Sequence, residues 1–536
     1  MGDTQDYFSR RAALIQEDKS LRRENYSLQS LTNNELAADK IVRHIRAEET
    51  VSVWGVEHDE VSHLFPGMEF LTSKRIIDQT KIFKIISKAC APTKMPKGAL
   101  LHAHIDATVD KGYLLELALK EPFMHVRASC VITAANSTTA VPEFRAFKEV
   151  QPSQSASVTD LDYPADSWIP LHQARESFSL GGPDGFDKWA LGAMVINPAE
   201  AYGTHNTVTK IWQKFQSTFR ATAGLTMYRP IFRQFLRRFL MESIGDGISY
   251  MEPRINFFDK FMFDADGNET VPHREWLLDF GQAISEVRAA LREQGREEVF
   301  VGAKFIYTTL RILSPEELEW YLEDCIALKQ EFPDLIAGFD LVGDENVARP
   351  LIDYIEPLLA FKQRVKDLGL DLPLILHAGE TLSDGGKADN NLYDALLLGT
   401  KRIGHGFSIV KHPKLMQLCR EKGIALEVCP ISNEILRLTT SIPMHPLPVM
   451  INQGVPVTLN SDDPSVFGAM GLSYDFYQVF VSSETTGLIT LKQIALDSIE
   501  FSTLDTEEKA RAASVWEKHW HEFVDDLVNN SGIAAD

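Results

Sequence analysis

Four short segments of the 536-residue chain carry side chains that can hold a metal and move protons: LLHAHID (His102, His104), LILHAGET (His377, Glu380), RIGHGF (His405) and NSDDPSVFG (Asp462, Asp463). His102 and His104 stand two apart at the end of an apolar run, so on a strand both side chains share one face. Three neutral imidazoles and one carboxylate make a shell for a borderline metal such as zinc, with a position left for water. The residues propose His102, His104, His377 and Asp462 as that shell, with one Zn2+ per chain. Such an ion suits hydrolysis, because it activates water near neutral pH. Hydrolysis also needs a proton for the electrophile and a group that steers the water. Glu380, three residues after His377, is the expected proton donor, and His405 the group that orients or deprotonates the water. Asp463 can hydrogen-bond a ring if its neighbours keep it protonated. H-x-H alone is a weak pattern; the joint arrangement is much stronger.

These residues need a scaffold that brings distant segments together. Eight short β-rich runs lie at 98–105, 248–254, 299–307, 335–342, 373–379, 402–407, 424–430 and 455–460. Helical stretches such as 315–330 and 348–368 separate them, and the strands are almost continuously apolar, as in parallel sheets buried on both faces. The expected fold class is α/β, a (β/α)8 TIM-type barrel of the metal-dependent hydrolase kind, although a doubly wound open sheet would share this periodicity. The histidines and acids fall at or near the carboxyl ends of the runs, where a barrel builds its active site.

The rest of the chain divides into an N-terminal helical region (1–90), the barrel (91–505) with an inserted subdomain after strand one at about 122–200, and a C-terminal helix (506–536). The insertion announces itself by loop-rich composition, as in SQSASVTDLDYPAD. Near the N-terminus, Thr32 and Glu35 form a capping-box pattern, followed by Leu36, Ile41 and Ile45 at near-helical spacing. That stripe must be buried, either on its own barrel or on a second subunit.

A net charge of −21 argues against a nucleic-acid partner, since phosphate backbones attract Lys- and Arg-rich surfaces. The start MGDTQDYFSRR lacks the apolar core of a secretory signal, and no apolar run reaches the roughly 20 residues that span a bilayer. Five scattered cysteines without a C-x-x-C pair fit reduced thiols. The expectation is a cytoplasmic protein with no membrane partner.

Across about residues 95–500, the segments MPKGALLHAHIDA, GFDLVGDE, LILHAGET, RIGHGF, LEVCPISN and NSDDPSVFG resemble, in order, the signature segments of the adenosine deaminase family. The helical N-terminus, the insertion and GLSYDFYQVF (471–480) are most similar to its adenosine deaminase-related growth factor branch. The resemblance implies zinc on His102, His104, His377 and Asp462, Glu380 as the acid that protonates purine N1, and His405 beside the attacking water. It further implies contacts from Asp463 to N7, from the Gly343 backbone to N3 and from Asp106 to the ribose. The implied reaction is hydrolytic deamination of adenosine or 2′-deoxyadenosine to inosine or deoxyinosine plus ammonia, and the implied assembly is a homodimer through the N-terminal helices.

Some positions depart from the family pattern. The growth-factor branch is typically secreted with a disulfide in the insertion, where this chain offers only Cys130. A Glu and a His that contact the sugar in animal members fall here at Gln216 and Thr309, which opens AMP deamination as an alternative. A binuclear amidohydrolase would need a bridging Lys or Glu on the strand LIAGFDLVG, which has neither. A non-catalytic, growth-regulating protein on the same fold is a further alternative, opposed by the intact acid, base and ligand positions.

Overall fold

A computed structural model describes residues 2–28, 30–59, 61, 65–87, 94–148 and 155–530. The apolar runs become ten short strands: β1 (Gly98–Leu100), β2 (Ile248–Met251), β3 (Arg254–Asn256), β4 (Gly302–Ala303), β5 (Phe305–Leu310), β6 (Ile336–Val342), β7 (Leu376–Ala378), β8 (Arg402–His405), β9 (Ala425–Val428) and β10 (Val457–Leu459). All pair in parallel, in the orders β1-β2-β4, β6-β5-β3 and β7-β8-β9-β10. Two runs predicted as single strands are split. Between β2 and β3 stands Pro253, which has no N–H to give to a ladder.

Isolated parallel bridges carry the pairing from sheet to sheet: Ala103 with Asp462, His104 with Arg254, and Phe339 with Leu374. The result is an α/β fold built on parallel sheets, and β6 to β10 are buried at every position, as expected where helices cover the outside. The helix predicted at 315–330 runs Pro315–Glu331, started by a capping box from Ser314 and Glu317. That predicted at 348–368 begins later, at Ile355, because Pro350 precedes a 3-10 turn over Leu351–Tyr354.

The chain opens with α1 (Gly2–Lys19) and α2 (Asn33–Ser52). Between β1 and β2 come an antiparallel sheet of Met124–Arg127, Glu143–Ala146 and Ile169–Pro170, and then the long helices α3 (Val208–Thr226) and α4 (Arg229–Gly245). A short helix, α5 (Pro430–Ile435), follows β9, and the described chain ends in α6 (Leu488–Glu500) and α7 (Thr506–Asn530).

The capping box at Thr32 and Glu35 forms as predicted. Of the predicted stripe, Ile41 and Ile45 are buried, while Leu36 is exposed. Helix α2 packs against α6 and α7 of its own chain, and Glu35 accepts bonds from Lys492 Nζ (2.6 Å) and Trp520 Nε1 (2.8 Å). The stripe therefore finds its partner within the chain. Helix α1 does not: from Thr4 to Lys19 every residue is exposed, including Tyr7, Phe8 and Leu14. Among the described residues no helix is long and apolar enough to cross a membrane.

Candidate active site

The strand ends bring His102, His104, His377, His405, Glu380, Asp462 and Asp463 into one cluster. The segments after β1 and β10 are stitched together by His104 N–H donating to Asp462 O (2.9 Å) and Asp462 N–H to His102 O (3.2 Å). His377 on β7 lies beside Gly404 of β8. A Cβ on Gly404 would stand 3.1 Å from His102 Cε1 and from His377 Cγ, so only glycine lets the two rings approach to 4.6 Å. His405 (φ 58°) and Asp462 (φ 57°) both adopt left-handed backbone. For non-glycine residues this costs about 1–2 kcal/mol each, a strain that tends to collect at functional sites.

Asp462 Oδ1 lies 3.2 Å from His102 Nε2 and 3.4 Å from His104 Nε2. The ligand atoms of His102, His104 and His377 lie within 4.8 Å of one another, as do those of His104, Asp462 and Asp463. His102 Nε2 and Asp462 Oδ1 are buried without a hydrogen-bond partner. Buried lone pairs left unsatisfied are costly, and a divalent cation among nitrogen and oxygen donors would satisfy them. The residues present therefore fit zinc. Cys429, which the sequence reading passed over, also approaches: its Sγ lies within 4.8 Å of ligand atoms of His102, His405 and Asp462. Burial pushes its thiol well above the usual range.

The rear nitrogens of two of these rings are anchored. His102 Nδ1 meets Glu427 Oε2 at 2.8 Å and His377 Nδ1 meets Asp340 Oδ2 at 2.6 Å, which turns both Nε2 atoms inward. Arg254 donates to both carboxylates, through Nε to Asp340 (2.8 Å) and Nη2 to Glu427 (2.7 Å). Arg402 completes the network, donating to Glu427 (2.6 Å) and Glu252 (2.7 Å). All five charged side chains are fully buried. Sequence reasoning missed them, although Asp340 and Glu427 lie inside segments it had singled out. Their signal was an acid in the middle of an otherwise apolar strand, which a buried position tolerates only when paired.

Electrostatics separate the acids. Burial raises Glu380 well above the ordinary carboxyl range, and Asp462, Glu345 and Asp344 push it further. Its backbone is fixed by Glu345, whose Oε1 accepts Glu380 N–H at 2.9 Å. Asp463 is also raised well above its ordinary value, by burial and then by Asp462 and Asp106. For Asp462 burial alone would raise the carboxyl, but His405, His102 and His104 hold it well below the ordinary range. Burial lowers His377 to about 3 and carries His405 well below its ordinary value. The cluster thus sets two acids with raised carboxyls beside one held low, the separation that acid catalysis near neutral pH calls for.

A cavity of about 810 Å³ opens onto the cluster, lined by His104, Asp106, Gly343, His377, Glu380, His405, Asp462 and Asp463. The apolar side of α3, including Trp212, Phe215 and Phe219, forms another wall. Gln216 lines this space; Thr309 does not, and lies fully buried on β5. The expectation that Thr309 faces the sugar is corrected accordingly, with its neighbour Leu310 turned to the cavity instead. Gly343 has φ 124°, a conformation L side chains rarely adopt. Burial raises the Asp106 carboxyl.

A cavity that ends in a buried carboxyl and a cluster of imidazoles at the ends of parallel strands has the make-up of a hydrolase site. Residues 193–518 match the family described as Adenosine deaminase. The chain is 35% identical to adenosine deaminase 2 of Sus scrofa, over 86% of this chain and 84% of that protein. It is 31% identical to an adenosine deaminase of Phlebotomus duboscqi, over 87% and 83% of the two chains. Its fold is similar to that of an adenine deaminase from Arthrobacter aurescens, with a TM-score of 0.52 and 20% identity over 80% of this chain and 99% of that one. The chain belongs to the adenosine deaminase family of purine aminohydrolases. Within the family, its similarity to proteins named adenosine deaminase 2 puts it in the adenosine deaminase-related growth factor branch.

Proposed function

We propose that the protein hydrolyses the 6-amino group of a purine nucleoside, adenosine or 2′-deoxyadenosine, releasing ammonia and inosine or deoxyinosine, with one zinc per chain. The observation that carries this reading is Glu380, buried where the cavity meets the imidazoles, its carboxyl raised by burial and its Oε1 at 3.6 Å from His405 Nε2. The scaffold is read as a closed (β/α)8 barrel, supported by the parallel bridges between the sheets and by the position of the cluster at strand ends. Zinc held by His102, His104, His377 and Asp462 would supply an activated water at neutral pH.

The chain's own residues do the rest. Glu380 gives its proton to purine N1, which makes C6 electrophilic. The water oxygen adds at C6; one of its protons restores the Glu380 carboxyl and the other goes to the amino nitrogen, which leaves as ammonia while N1 keeps the proton it received. His405, whose Nε2 also lies 3.8 Å from Asp462 Oδ2, orients the water. Protonated Asp463 donates to N7, the Gly343 backbone meets N3, and Asp106 meets the ribose.

A nucleoside suits the cavity better than a 5′-monophosphate. Of its six lining acids (Asp106, Asp259, Asp344, Glu380, Asp462 and Asp463), Glu380 and Asp463 are read as protonated and Asp462 as a zinc ligand, which leaves Asp106, Asp259 and Asp344 against Arg220, the one Lys or Arg among the described lining residues. An acidic cleft repels a phosphate. Ammonia release measured side by side on adenosine, deoxyadenosine, AMP, adenine and cytidine tests this: the nucleosides should lead. Preference for AMP by tenfold would replace the substrate and keep the mechanism; reaction of cytidine alone would overturn the ring assignment. We further propose a homodimer, supported by the apolar side chains that α1 leaves exposed.

A further inference from the structure

His405 faces the reaction centre through Nε2, and what that atom carries is decided behind the ring. The deciding contact begins at a backbone amide, which can only donate. Leu447 N–H donates to His445 Nδ1 at 3.0 Å, so Nδ1 of that ring is bare. His445 is buried, and burial lowers its pKa to about 3, so the ring is neutral. A neutral imidazole with a bare Nδ1 carries its proton on Nε2. His445 Nε2–H therefore donates to its partner at 3.0 Å, Asn433 Oδ1.

That contact orients the Asn433 amide. With Oδ1 turned to His445, the NH2 group faces the other way, and Nδ2 donates to His405 Nδ1 at 3.2 Å. The amide is held by more than this pair. Asn433 lies in α5, and its backbone carbonyl accepts from Leu438 N–H (2.9 Å) and Thr439 N–H (3.2 Å). The neighbouring Ser432 Oγ donates to Asp462 Oδ2 at 2.7 Å, so one turn of helix fixes two groups of the site. Because Nδ1 of His405 accepts from the Asn433 amide it carries no proton, and a ring with a bare Nδ1 holds its proton on Nε2.

We infer that Asn433 and His445 are positioning residues that lock His405 in its Nε2–H form, so that it meets the attacking water as a hydrogen-bond donor to the oxygen and not as the acceptor of its proton. Each step of the relay has one direction only, since reversing any bond would leave the Leu447 amide facing another N–H. The consequence for catalysis rests on the proposed deamination, but the tautomer is a property of the protein without substrate and is tested separately.

The experiment uses full-length, zinc-loaded protein with 15N-labelled histidine rings, in which the His405 signals are assigned by their loss in His405→Ala. Nuclear magnetic resonance should show His405 protonated at Nε2 and bare at Nδ1. In Asn433→Asp the carboxylate can only accept, so the His405 proton should move to Nδ1, and kcat should fall at least about tenfold with KM little changed. His445→Ala, farther from the metal ligands, frees the Asn433 amide to turn; it should give a mixture of both tautomers and a smaller fall in kcat. If Asn433→Asp loses zinc or fold, the His445→Ala spectrum decides alone. A wild-type His405 protonated at Nδ1 would overturn the inference. So would a pure Nε2–H signal and unchanged kcat in His445→Ala. Failure of every purine substrate with the tautomer as expected would count against the proposed reaction only.

Discussion

His102 and His377 share a device that His405 lacks. Behind each of these two rings, both proposed zinc ligands, stands a buried carboxylate, Glu427 or Asp340, fixed in turn by Arg254. Behind His405 stands the neutral amide of Asn433. A carboxylate accepts from Nδ1–H and so bares Nε2, raising its basicity and making it a metal ligand. An amide NH2 donates to Nδ1 and leaves the proton on Nε2, which makes the same ring a donor. The roles proposed for His102, His377 and His405 thus follow the atom at the back of each ring.

The sharpest way to break this contrast is to remove the ligand side. His102→Ala and Asp462→Ala should abolish zinc binding and activity together, read by elemental analysis and ammonia release. Two metals per active chain would refute the four-residue shell. His405→Ala should keep its zinc, and loss of metal there would put His405 on the ligand side.

Next in size is the proton donor. Glu380→Gln keeps the volume but has no proton to transfer, so turnover should fall roughly 100-fold or more with zinc retained. Glu380 is needed protonated and its pKa is raised, so wild-type kcat should fall as pH rises through that raised value, with the falling limb missing in the variant. A wild-type alkaline plateau would reassign Glu380 to structure.

A smaller effect is expected behind the ligands. Asp340→Asn removes the charge at the back of His377 and should weaken zinc binding by roughly 10- to 100-fold in competition with a chelator. An unchanged affinity would mean that the carboxylate serves the fold alone. Smallest for the chemistry is deletion of residues 2–19. Because Thr4 to Lys19 are exposed in the single chain, its melting should hardly change while the mass by light scattering halves. A monomeric full-length protein at micromolar concentration would refute the dimer.

The sequence showed most of the site because its residues sit in short segments where a polar group interrupts an apolar strand. His102, His104, His377 and Asp462 could be read from type and spacing alone. Asp340 and Glu427 could not be assigned, since Arg254, which bridges them, lies on a strand distant in the chain, and which arginine faces which acid is decided only by folding. The strand breaks failed for a local reason, Pro253 dividing what periodicity made continuous. The stripe on α2 was read correctly as needing a partner, but periodicity does not say which surface supplies one. The orientation of Thr309 was misjudged because a position borrowed by alignment carries no information about which face of β5 it occupies.

Arg254 also bears on how the metal arrives. One guanidinium spans the carboxylates behind two ligand rings, in a network of full hydrogen bonds that needs no ion. A small zinc domain folds around its metal; the proposed shell, held from behind by this network, would instead be formed before the ion arrives. Stripping zinc should therefore leave the circular dichroism of the chain unchanged, and returning the metal should restore activity at the speed of binding, without a folding step.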